Sequence, residues 1–555
     1  MRNNHLYFLI ISFLVFGCKN DSQTENKIIS KTTSEAPFIW DAANVYFLLT
    51  DRFNNGDLSN DLNFKRTEKT GTLRGFEGGD LSGITQKINE GYFTKLGINA
   101  IWFTPVVEQI HASVDEGTGN TYAYHGYWAK DWTALDPNFG TYKDLEILVK
   151  TAHQHGIRLI MDVVLNHTGP VTTQDPFWGE NWARQAPQCS YEDYESTVPC
   201  TLVANLPDIK TESKETVELP DFLIKKWKSE NRYEQEIEEL NLFFSENKLP
   251  RTPQNYIIKW LTDYIRDLGI DAFRVDTVKH VDETSWSVLR AQADLAFSKW
   301  KKENKELVLD DSPFYMLGEV YGYGIAAGRT YSFGDREVDY FSNGFDNLIN
   351  FQFKYDAQGD YETLFSKYDS IIHNTLKGKN VLNYVTSHDD GEPFDKMRNK
   401  PLETGTKLLL TPGLSQVYYG DEIARNLNIP DAKGDATLRG FMPWKDMNST
   451  ETKTILSHWQ KLGSFRRDHP AVGAGTHKNL QVKPYVFSRK LSKGNIEDLV
   501  IIGLELPLGE KEIIINGLFP EGTKLKDRYS DKVGTVRKDK IVLNTNQTIL
   551  LLEKL

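Results

Sequence analysis

A cation stands two residues before a carboxylate in residues 269–280, which follow an amphipathic segment at helical spacing. The alternation within this run predicts a short strand with Arg274 and Asp276 on one face. A neighbouring guanidinium favours the charged form of a carboxyl group, and an ionised, oriented carboxylate can act as a nucleophile or an electrostatic stabiliser. A structural ion pair at a strand end would look the same in sequence, so the rest of the chain must decide.

Short apolar strands alternate with amphipathic helices from about residue 40 to about residue 421. The eight predicted strands cover residues 44–53, 99–107, 158–164, 271–277, 315–320, 347–351, 380–387 and 416–419. Eight such units predict an α/β fold, the (β/α)8 TIM barrel, with a doubly wound sheet as the alternative. We expect the barrel to span residues 38–463.

Two regions depart from this alternation. The interval after the third strand is too long for a simple loop, so it predicts an inserted subdomain at residues 168–252 beside the active site. Its charged, acidic segment at 210–239 has no assigned role. Strands with polar turns at 482–490, 498–504, 511–515 and 540–552 predict an all-β C-terminal domain, a β-sandwich, over residues 464–555.

The active site of such a barrel lies at the C-terminal ends of the strands. Four of the predicted strands end in polar side chains that suit chemistry: Asp162, Asn166 and His167; Arg274, Asp276, Lys279 and His280; Glu319; His388 and Asp389. Several carboxylates at one site suggest glycoside hydrolysis with retention, in which one carboxylate attacks while a second carboxyl group protonates the leaving oxygen. Phosphoryl transfer is less favoured, because no Gly-rich phosphate cradle precedes a helix.

The overall composition and the N-terminus limit the partners. The net charge is -12 without a basic patch, so nucleic acid is not an expected partner. A short positive region and an apolar run at 6–16 predict a signal peptide over residues 1–17. The run ends at Cys18, as in the lipobox of bacterial lipoproteins, so we expect an exported protein with a lipid anchor at Cys18, on the periplasmic or cell-surface side. An ordinary signal peptide is the alternative, and residues 18–37 form a polar tether.

The remaining cysteines, Cys189 and Cys200, lie in one loop-rich region. An even pair in an exported chain suggests a disulfide, with two free thiols as the alternative. No histidine is spaced with them as a zinc site requires.

Taken together, these residues resemble the α-amylase family of glycoside hydrolases, family 13. The matching runs are residues 97–105, 124–128, 162–167, 206–208, 269–280, 318–320, 387–389 and 413–422. A closer likeness, to periplasmic members of the family, rests on residues 206–213, 273–281 and 458–475 and reaches into the C-terminal domain. The resemblance implies retaining endo-hydrolysis of α-1,4-glucosidic bonds in starch, glycogen-type glucans and maltooligosaccharides.

The resemblance also implies roles for single residues. Asp276 would be the nucleophile, Glu319 the general acid/base and Asp389 the transition-state stabiliser. The expected substrate contacts are Arg274, which holds Asp276, together with His125, Tyr127, Trp128, His167, His388, Lys279 and His280. Tyr127 would stack on the sugar being cleaved, or else be an ordinary aromatic residue of the rim. The Lys-His pair would lie on the leaving-group side.

Two calcium sites follow from the same resemblance, because hard oxygen ligands suit Ca²⁺. The first would use Asn166, Asp208 and the backbone carbonyl of His280. The second would use the loop residues Asn55, Asp57, Asn60, Asp61, Gly78 and Asp80. For the second site, a plain Asx-rich turn is the alternative.

Two other functions remain open from the sequence. A transglycosylase would run the same chemistry with a sugar in place of water, and an inactive glucan-binding protein at the cell surface would use only the cleft. The intact Asp276, Glu319 and Asp389 argue against the inactive protein. We expect a monomer with an α-glucan substrate.

Overall fold

The structure, a computed structural model, describes residues 37–555. The predicted signal peptide, the predicted lipidation site Cys18 and all but the last residue of the tether lie outside the described residues. Within 37–555, none of the helices is long and apolar enough to cross a membrane.

Eight parallel strands close into a barrel, with each strand beside its neighbours in chain order and β1 paired with both β2 and β8. The strands are β1 Asn44–Leu48, β2 Ala100–Phe103, β3 Arg158–Val163, β4 Ala272–Val275, β5 Tyr315–Gly318, β6 Asn347–Asn350, β7 Asn380–Tyr384 and β8 Leu414–Tyr418. Each overlaps one predicted strand, and closure of the sheet excludes the doubly wound alternative. The TIM barrel is confirmed. The strands are buried along their whole length, because a parallel sheet is covered on both faces.

Some predicted strands are too long. Residues Thr50–Phe53 form a short helix rather than the end of β1. The reason is the polar pair Asp51 and Arg52, which turns inward: their side chains meet at 2.9 Å, and Arg52 donates to the carbonyls of Leu73 and Gly75.

The longer helices are α1 Leu81–Asn89, α2 Tyr142–Gln154, α3 Asp221–Ser229, α4 Tyr233–Asn247, α5 Pro253–Leu268, α6 Thr284–Glu303, α7 Tyr361–Ser370, α8 Pro401–Leu410 and α9 Thr450–Asp468. Local sequence sets their ends. Thr141 and Asp144 form a capping box at the start of α2. Pro253 begins α5, and Gly269 ends it at φ 82°, where a Cβ atom would meet the ring of Trp300 at 2.1 Å.

The predicted insertion at 168–252 contains α3, α4 and a two-stranded pair, Ala183–Arg184 with Asp208–Ile209. Tryptophans join it to the barrel: Trp132, Trp178, Trp182, Trp227 and Trp260 have ring centroids 5.0–6.4 Å apart. Lys226, in the acidic segment 210–239, contacts Glu108 at 2.9 Å and Asp131 at 2.8 Å. This part of the segment therefore docks on the rest of the protein.

The C-terminal region is all β. Its strands are β9 Thr476–Gln481, β10 Tyr485–Lys493, β11 Ile496–Leu504, β12 Gly509–Ile514, β13 Lys524–Asp527, β14 Val533–Thr535, β15 Lys540–Thr545 and β16 Leu550–Lys554. Six strands form a sheet in the order β9-β10-β11-β16-β13-β14, and β12 pairs with β15. The strand predicted at 540–552 is wrong, because a polar turn divides it into β15 and β16. Helix α9 continues through the predicted boundary at 463/464, so the domain boundaries stay predictions.

Candidate active site

The C-terminal ends of β3, β4, β5 and β7 bring the predicted catalytic side chains to one rim of the barrel. Arg274 lies among them and is 1% exposed. Its Nη1 atom donates to Asp276 Oδ1 at 2.7 Å and to Asp162 Oδ1 at 2.8 Å, and its Nη2 atom lies 3.0 Å from Glu319 Oε2. The predicted ion pair is therefore one part of a cluster in which one guanidinium binds three carboxylates.

Strand register explains part of this cluster, because Arg274 in β4 stands opposite Asp162 in β3. Asp162 also accepts hydrogen bonds from Trp102 Nε1 at 3.0 Å and from the Tyr127 hydroxyl at 2.9 Å. Sequence reasoning placed Asp162 on the rim and gave it no role. The available signal was an acidic residue in a strand that is otherwise apolar apart from Arg158 at its start.

The strand β4 ends in a strained turn. Thr277 has φ 50°, which is rare for a β-branched residue, and its backbone N–H donates to Glu319 Oε2 at 3.0 Å. The turn thus holds the carboxyl group of Glu319 in place.

The carboxyl groups of this cluster are buried with only one cation among them, and this raises their pKa values. Burial raises the pKa of Glu319 to about 8; Arg274 opposes the shift, while Asp276 and Asp389 add to it. Burial likewise raises the pKa of Asp162 to about 6 and raises the pKa of Asp276, again against the effect of Arg274. Three carboxyl groups around one guanidinium favour one bound proton, and a pKa of about 8 leaves Glu319 protonated at neutral pH.

Asp389 has a different environment. Burial acts to raise its pKa, but the charges of Arg274 and Arg439 and the hydrogen bond from Ser387 oppose burial, and the pKa of Asp389 falls below its ordinary value. Ser387 Oγ donates to Asp389 Oδ1 at 3.1 Å, and His388 Nδ1 lies 3.7 Å from the same atom. Burial lowers the pKa of His388 to about 3, so its imidazole is neutral. Asp389 therefore stays ionised where Glu319 is protonated.

The predicted aromatic contacts form a short stack. The Tyr127 ring lies 5.3 Å from His388 and 5.7 Å from His125, nearly parallel to both. His125 Nδ1 accepts the backbone N–H of Tyr127 at 3.0 Å, which leaves the proton of the neutral ring on Nε2. Trp128 lies edge-on to His125 at 4.8 Å and packs with Ile110 in a small apolar cluster. In this position Trp128 supports His125, and its sugar contact stays a prediction.

The other predicted substrate contacts lie in two parts of the rim, one beside Tyr127 and the other in the turn after β4. His167 Nε2 donates to the Tyr127 carbonyl at 3.1 Å, and its sugar contact stays a prediction. Lys279 Nζ donates to the Tyr321 carbonyl at 3.1 Å and to the Tyr331 hydroxyl at 3.2 Å. His280 Nδ1 donates to the carbonyl of Thr197 at 2.9 Å.

Sequence reasoning missed a charged group beside His388. Arg439 Nε donates to the His388 carbonyl at 2.9 Å, and its Nη1 lies 2.6 Å from Asp435, which also contacts Arg74 at 2.9 Å. Asp435 and Arg439 are four residues apart in the loop after β8. No local periodicity marks that loop, so only the fold shows that it reaches the rim.

Known proteins resemble this chain over most of its length. The sequence profile described as "Alpha amylase, catalytic domain" matches residues 47–470. The periplasmic alpha-amylase of Escherichia coli (strain K12) is 36% identical over 523 residues, which are 83% of this chain and 72% of that protein. The chain belongs to the α-amylase family. It is accordingly a glycoside hydrolase, and the family resemblance inferred from the sequence is confirmed.

Other relatives widen the comparison. The cyclomaltodextrin glucanotransferase of Thermoanaerobacterium thermosulfurigenes is 29% identical over 88% of this chain, which spans 63% of that protein's length. The alpha-amylase of Geobacillus thermoleovorans, solved with acarbose, has a TM-score of 0.65 at 22% identity and covers 93% of this chain and 99% of its own. At that identity the solved structure supports the fold.

The first predicted calcium site can be tested from its oxygens. The side-chain oxygen of Asn166 lies 2.9 Å from the His280 carbonyl oxygen and 3.2 Å from Asp208 Oδ1. Three acceptors that face one another need either a cation between them or a rotated amide that donates to both neighbours. Arg184 lies 3.1 Å from the other Asp208 oxygen. These oxygens fit a hard cation such as Ca²⁺.

The second predicted site also has free oxygens. The side-chain oxygens of Asn55 and Asn60 are buried without a hydrogen-bond partner. Asp80 instead caps α1 through Gly83 and accepts the backbone N–H groups of Gly56 and Asp57. Asp61 accepts a hydrogen bond from Asn55 at 2.8 Å, and Gly78 at φ 94° lies beside both. Across residues 37–555 no group of three or more His, Cys, Asp or Glu side chains could hold a metal, so a site here depends on amide and backbone oxygens.

Cys189 and Cys200 are joined in a disulfide, with Cα atoms 5.0 Å apart. The loop that it closes lies against the active-site rim, because the Thr197 carbonyl accepts the hydrogen bond of His280.

Proposed function

We propose that the protein hydrolyses internal α-1,4-glucosidic bonds of starch, glycogen-type glucans and maltooligosaccharides with retention of anomeric configuration. One observation carries the proposal. Arg274 binds Asp276 and Glu319 at the two ends of its guanidinium, while Asp389 stays ionised nearby. Carboxyl oxygens at 2.7 and 3.0 Å from the two Nη atoms of one guanidinium favour the short separation of a retaining pair over the gap of roughly 6.5–9.5 Å that an inverting enzyme needs for its water.

In the first step, Asp276 attacks the anomeric carbon and Glu319 gives its proton to the leaving glycosidic oxygen. The bond to the leaving sugar breaks as the bond to Asp276 Oδ forms, which produces a covalent glycosyl-enzyme. In the second step, the ionised Glu319 takes a proton from water, and the oxygen of that water displaces Asp276. Asp389 stabilises the positive charge that develops on the sugar in both transition states.

The residues around the cluster bind and position the substrate. Arg274 orients Asp276, and Asp162 fixes Arg274 from the opposite strand. Tyr127 gives the sugar an aromatic face, while neutral His125 and His388 bond its hydroxyl groups. Lys279 and His280 lie beyond Glu319, on the side of the leaving group. Their presence supports cleavage within an α-1,4-linked chain.

A bound Ca²⁺ would act as a structural tie. Asn166, Asp208 and the His280 carbonyl would hold it, and these residues come from the end of β3, the inserted segment and the turn after β4. The ion would stabilise the position of the segment against the rim. The loop at 55–80 would hold a second ion through Asn55 and Asn60.

A transglycosylase is the second candidate, because cyclomaltodextrin glucanotransferases share 27–29% identity over most of the chain. Maltoheptaose separates the two. We expect shorter linear products only, with the α-anomer of the new reducing end appearing first by NMR. Cyclic or lengthened products in excess of shorter ones would favour the transglycosylase, and a β-anomer would overturn retention. Binding without any cleavage would favour an inactive glucan-binding protein.

Export and lipid anchoring also belong to this proposal. The relative from Escherichia coli is described as periplasmic, which supports export. Cell fractionation of the full chain should place it with membranes, whereas Cys18→Ser should release it into a soluble exported fraction. Release of both forms into the soluble fraction would favour an ordinary signal peptide. Light scattering on the soluble variant checks the expected monomer.

A further inference from the structure

Tyr191 is exposed and strained at the same time. Its side chain is 51% exposed, so core packing does not explain it. Its backbone has φ 63°, in the left-handed region that bulky residues avoid. Such strain persists only when the surrounding structure imposes it, and it is concentrated at functional sites.

The strain is imposed by a closed loop. Cys189 and Cys200 join its ends, and Cys189 N–H donates to the Thr201 carbonyl at 2.9 Å. Within the loop, the Ser196 carbonyl accepts the N–H of Tyr191 at 3.4 Å, and the Ser196 hydroxyl accepts the N–H groups that follow Tyr191 at 3.0 Å.

A second tyrosine anchors the same loop. Tyr194 is 5% exposed, packs on Phe333 at 5.1 Å and lies under the guanidinium of Arg336 at 3.4 Å. Tyr194 therefore explains how the loop is attached to the rim. Attachment through Tyr194 does not explain why a tyrosine occupies the exposed, strained position 191.

Tyr191 faces the cation that follows the catalytic strand. The ammonium of Lys279 lies 5.7 Å from the Tyr191 ring and 5.5 Å from the rings of Tyr321 and Tyr331. Two hydrogen bonds use two of its three N–H groups, which leaves one N–H for a ligand. Tyr321 is 54% exposed and stands two residues after Glu319. Exposed aromatic faces beside a free N–H donor suit a sugar ring, which stacks through its C–H face and accepts hydrogen bonds through its hydroxyls.

We propose that the loop closed by Cys189 and Cys200 determines how tightly sugars on the leaving-group side are bound, because it holds Tyr191 as an aromatic platform facing Lys279. The inference rests on the proposed function, since Glu319 defines the leaving-group side. It assigns a specificity role to Tyr191 and a positioning role to the disulfide.

Two substrates separate this role from catalysis. Maltoheptaose places sugars on both sides of the broken bond, whereas α-maltotriosyl fluoride has a fluoride leaving group and no sugar beyond Glu319. Tyr191→Ala should lower kcat/KM for maltoheptaose about ten-fold, with a shift in the product ladder, and should leave kcat/KM for the fluoride unchanged. Tyr191→Phe keeps the ring and should behave as the wild type on both substrates.

The disulfide is tested with Cys189→Ser combined with Cys200→Ser. This variant should lose activity on maltoheptaose selectively, by less than Tyr191→Ala, because the ring is retained while its position is loosened. Tyr142→Ala is the matched control, since Tyr142 is 45% exposed at the start of α2 and lies outside the site. It should match the wild type.

Equal losses of Tyr191→Ala on both substrates, or no loss on either, would overturn the inference and leave the proposed function intact. Failure of the wild-type protein on both substrates would overturn the proposed function and this inference with it. Melting temperatures within about 1 °C of the wild type show that the tyrosine variants are folded. The disulfide variant should melt at a lower temperature, and an unchanged kcat/KM for the fluoride shows that it is folded.

Discussion

Two buried arginines of this protein occupy opposite kinds of surroundings. Arg274, on the barrel rim, is bound by three carboxylates, and they raise its pKa well above the ordinary value even though burial acts to lower it. Arg466, in α9 at the junction with the C-terminal strands, is 0% exposed and donates to the carbonyls of Leu409 and Thr411 at 3.0 and 2.9 Å and to that of Gly413. Burial, with some repulsion from Arg489, lowers the pKa of Arg466 to about 9.

The difference separates a reactive site from a structural one. Within residues 37–555 no carboxylate pairs with Arg466, whose donors satisfy the carbonyls at and just after the end of α8. These hydrogen bonds stabilise the end of α8, and they involve no acid–base pair that could transfer a proton. Around Arg274 negative charge is in excess, so a proton remains on one carboxyl group at neutral pH. That imbalance favours catalysis at the expense of local stability.

Removal of the nucleophile tests the reactive side. Asp276→Asn should lower kcat on maltoheptaose by about 10⁴-fold, since the variant cannot form the covalent intermediate. The melting temperature should not fall, because one of three crowded carboxylates is gone. Asp311→Asn, at an exposed position, is the control and should keep full activity. Undiminished hydrolysis by Asp276→Asn would show that the nucleophile is another group.

Removal of the structural arginine should have the reverse effect. Arg466→Met should lower the free energy of unfolding by about 3 kcal/mol, because it leaves buried carbonyls without donors, and kcat of the folded protein should be unchanged. Arg467→Met, at a 32% exposed side chain of the same helix, should lower it by about 0.5 kcal/mol or less. Urea unfolding measures both. Equal effects of the two variants would contradict the structural role of Arg466.

The pH dependence follows from Glu319. As the general acid it must be protonated, so kcat/KM should fall about ten-fold per pH unit above pH of about 8, the pKa of Glu319. The folded-state pKa lies above the unfolded value, so the stability contribution of Glu319 is complete below about pH 4.5 and is lost as pH rises through about 8. Glu319→Gln has no carboxyl group to titrate at this position. The variant should therefore show neither the fall of kcat/KM above about pH 8 nor this loss of stability. A wild-type profile that stays flat to pH 10 would rule out Glu319 as the acid.

Calcium removal tests the two proposed Ca²⁺ sites, which lie outside the carboxylate cluster. EDTA should lower the melting temperature by about 4 °C, and added Ca²⁺ should restore it, because a ligand that binds only the folded protein stabilises it. Asp208→Asn should reduce the response through the first site and Asn60→Ala through the second. Mg²⁺ is the control ion. No shift with EDTA would favour a rotated Asn166 amide and a plain Asx-rich turn.

The local pattern of apolar and polar residues was sufficient to predict much of this fold. Each predicted barrel strand overlaps an observed one, because a strand buried on both faces is a continuous apolar run bounded by turns. The strand predicted at 540–552 failed because the polar turn within it is short. The strand predicted at 44–53 is too long at its C-terminal end. Arg52 is buried there by contacts with Leu73 and Gly75, which are distant in sequence.

The sequence by itself determined the eight units, the family, and which side chains stand at the strand ends, since these depend on residue type and spacing. Only the tertiary structure decided how those side chains are paired. Asp162 joined the cluster through strand register, Glu319 holds its proton because burial leaves three carboxyl groups with one guanidinium, and His167 donates to the Tyr127 carbonyl. Burial and cross-strand contacts set these properties, because desolvation and charge balance depend on neighbours that no local stretch of sequence contains.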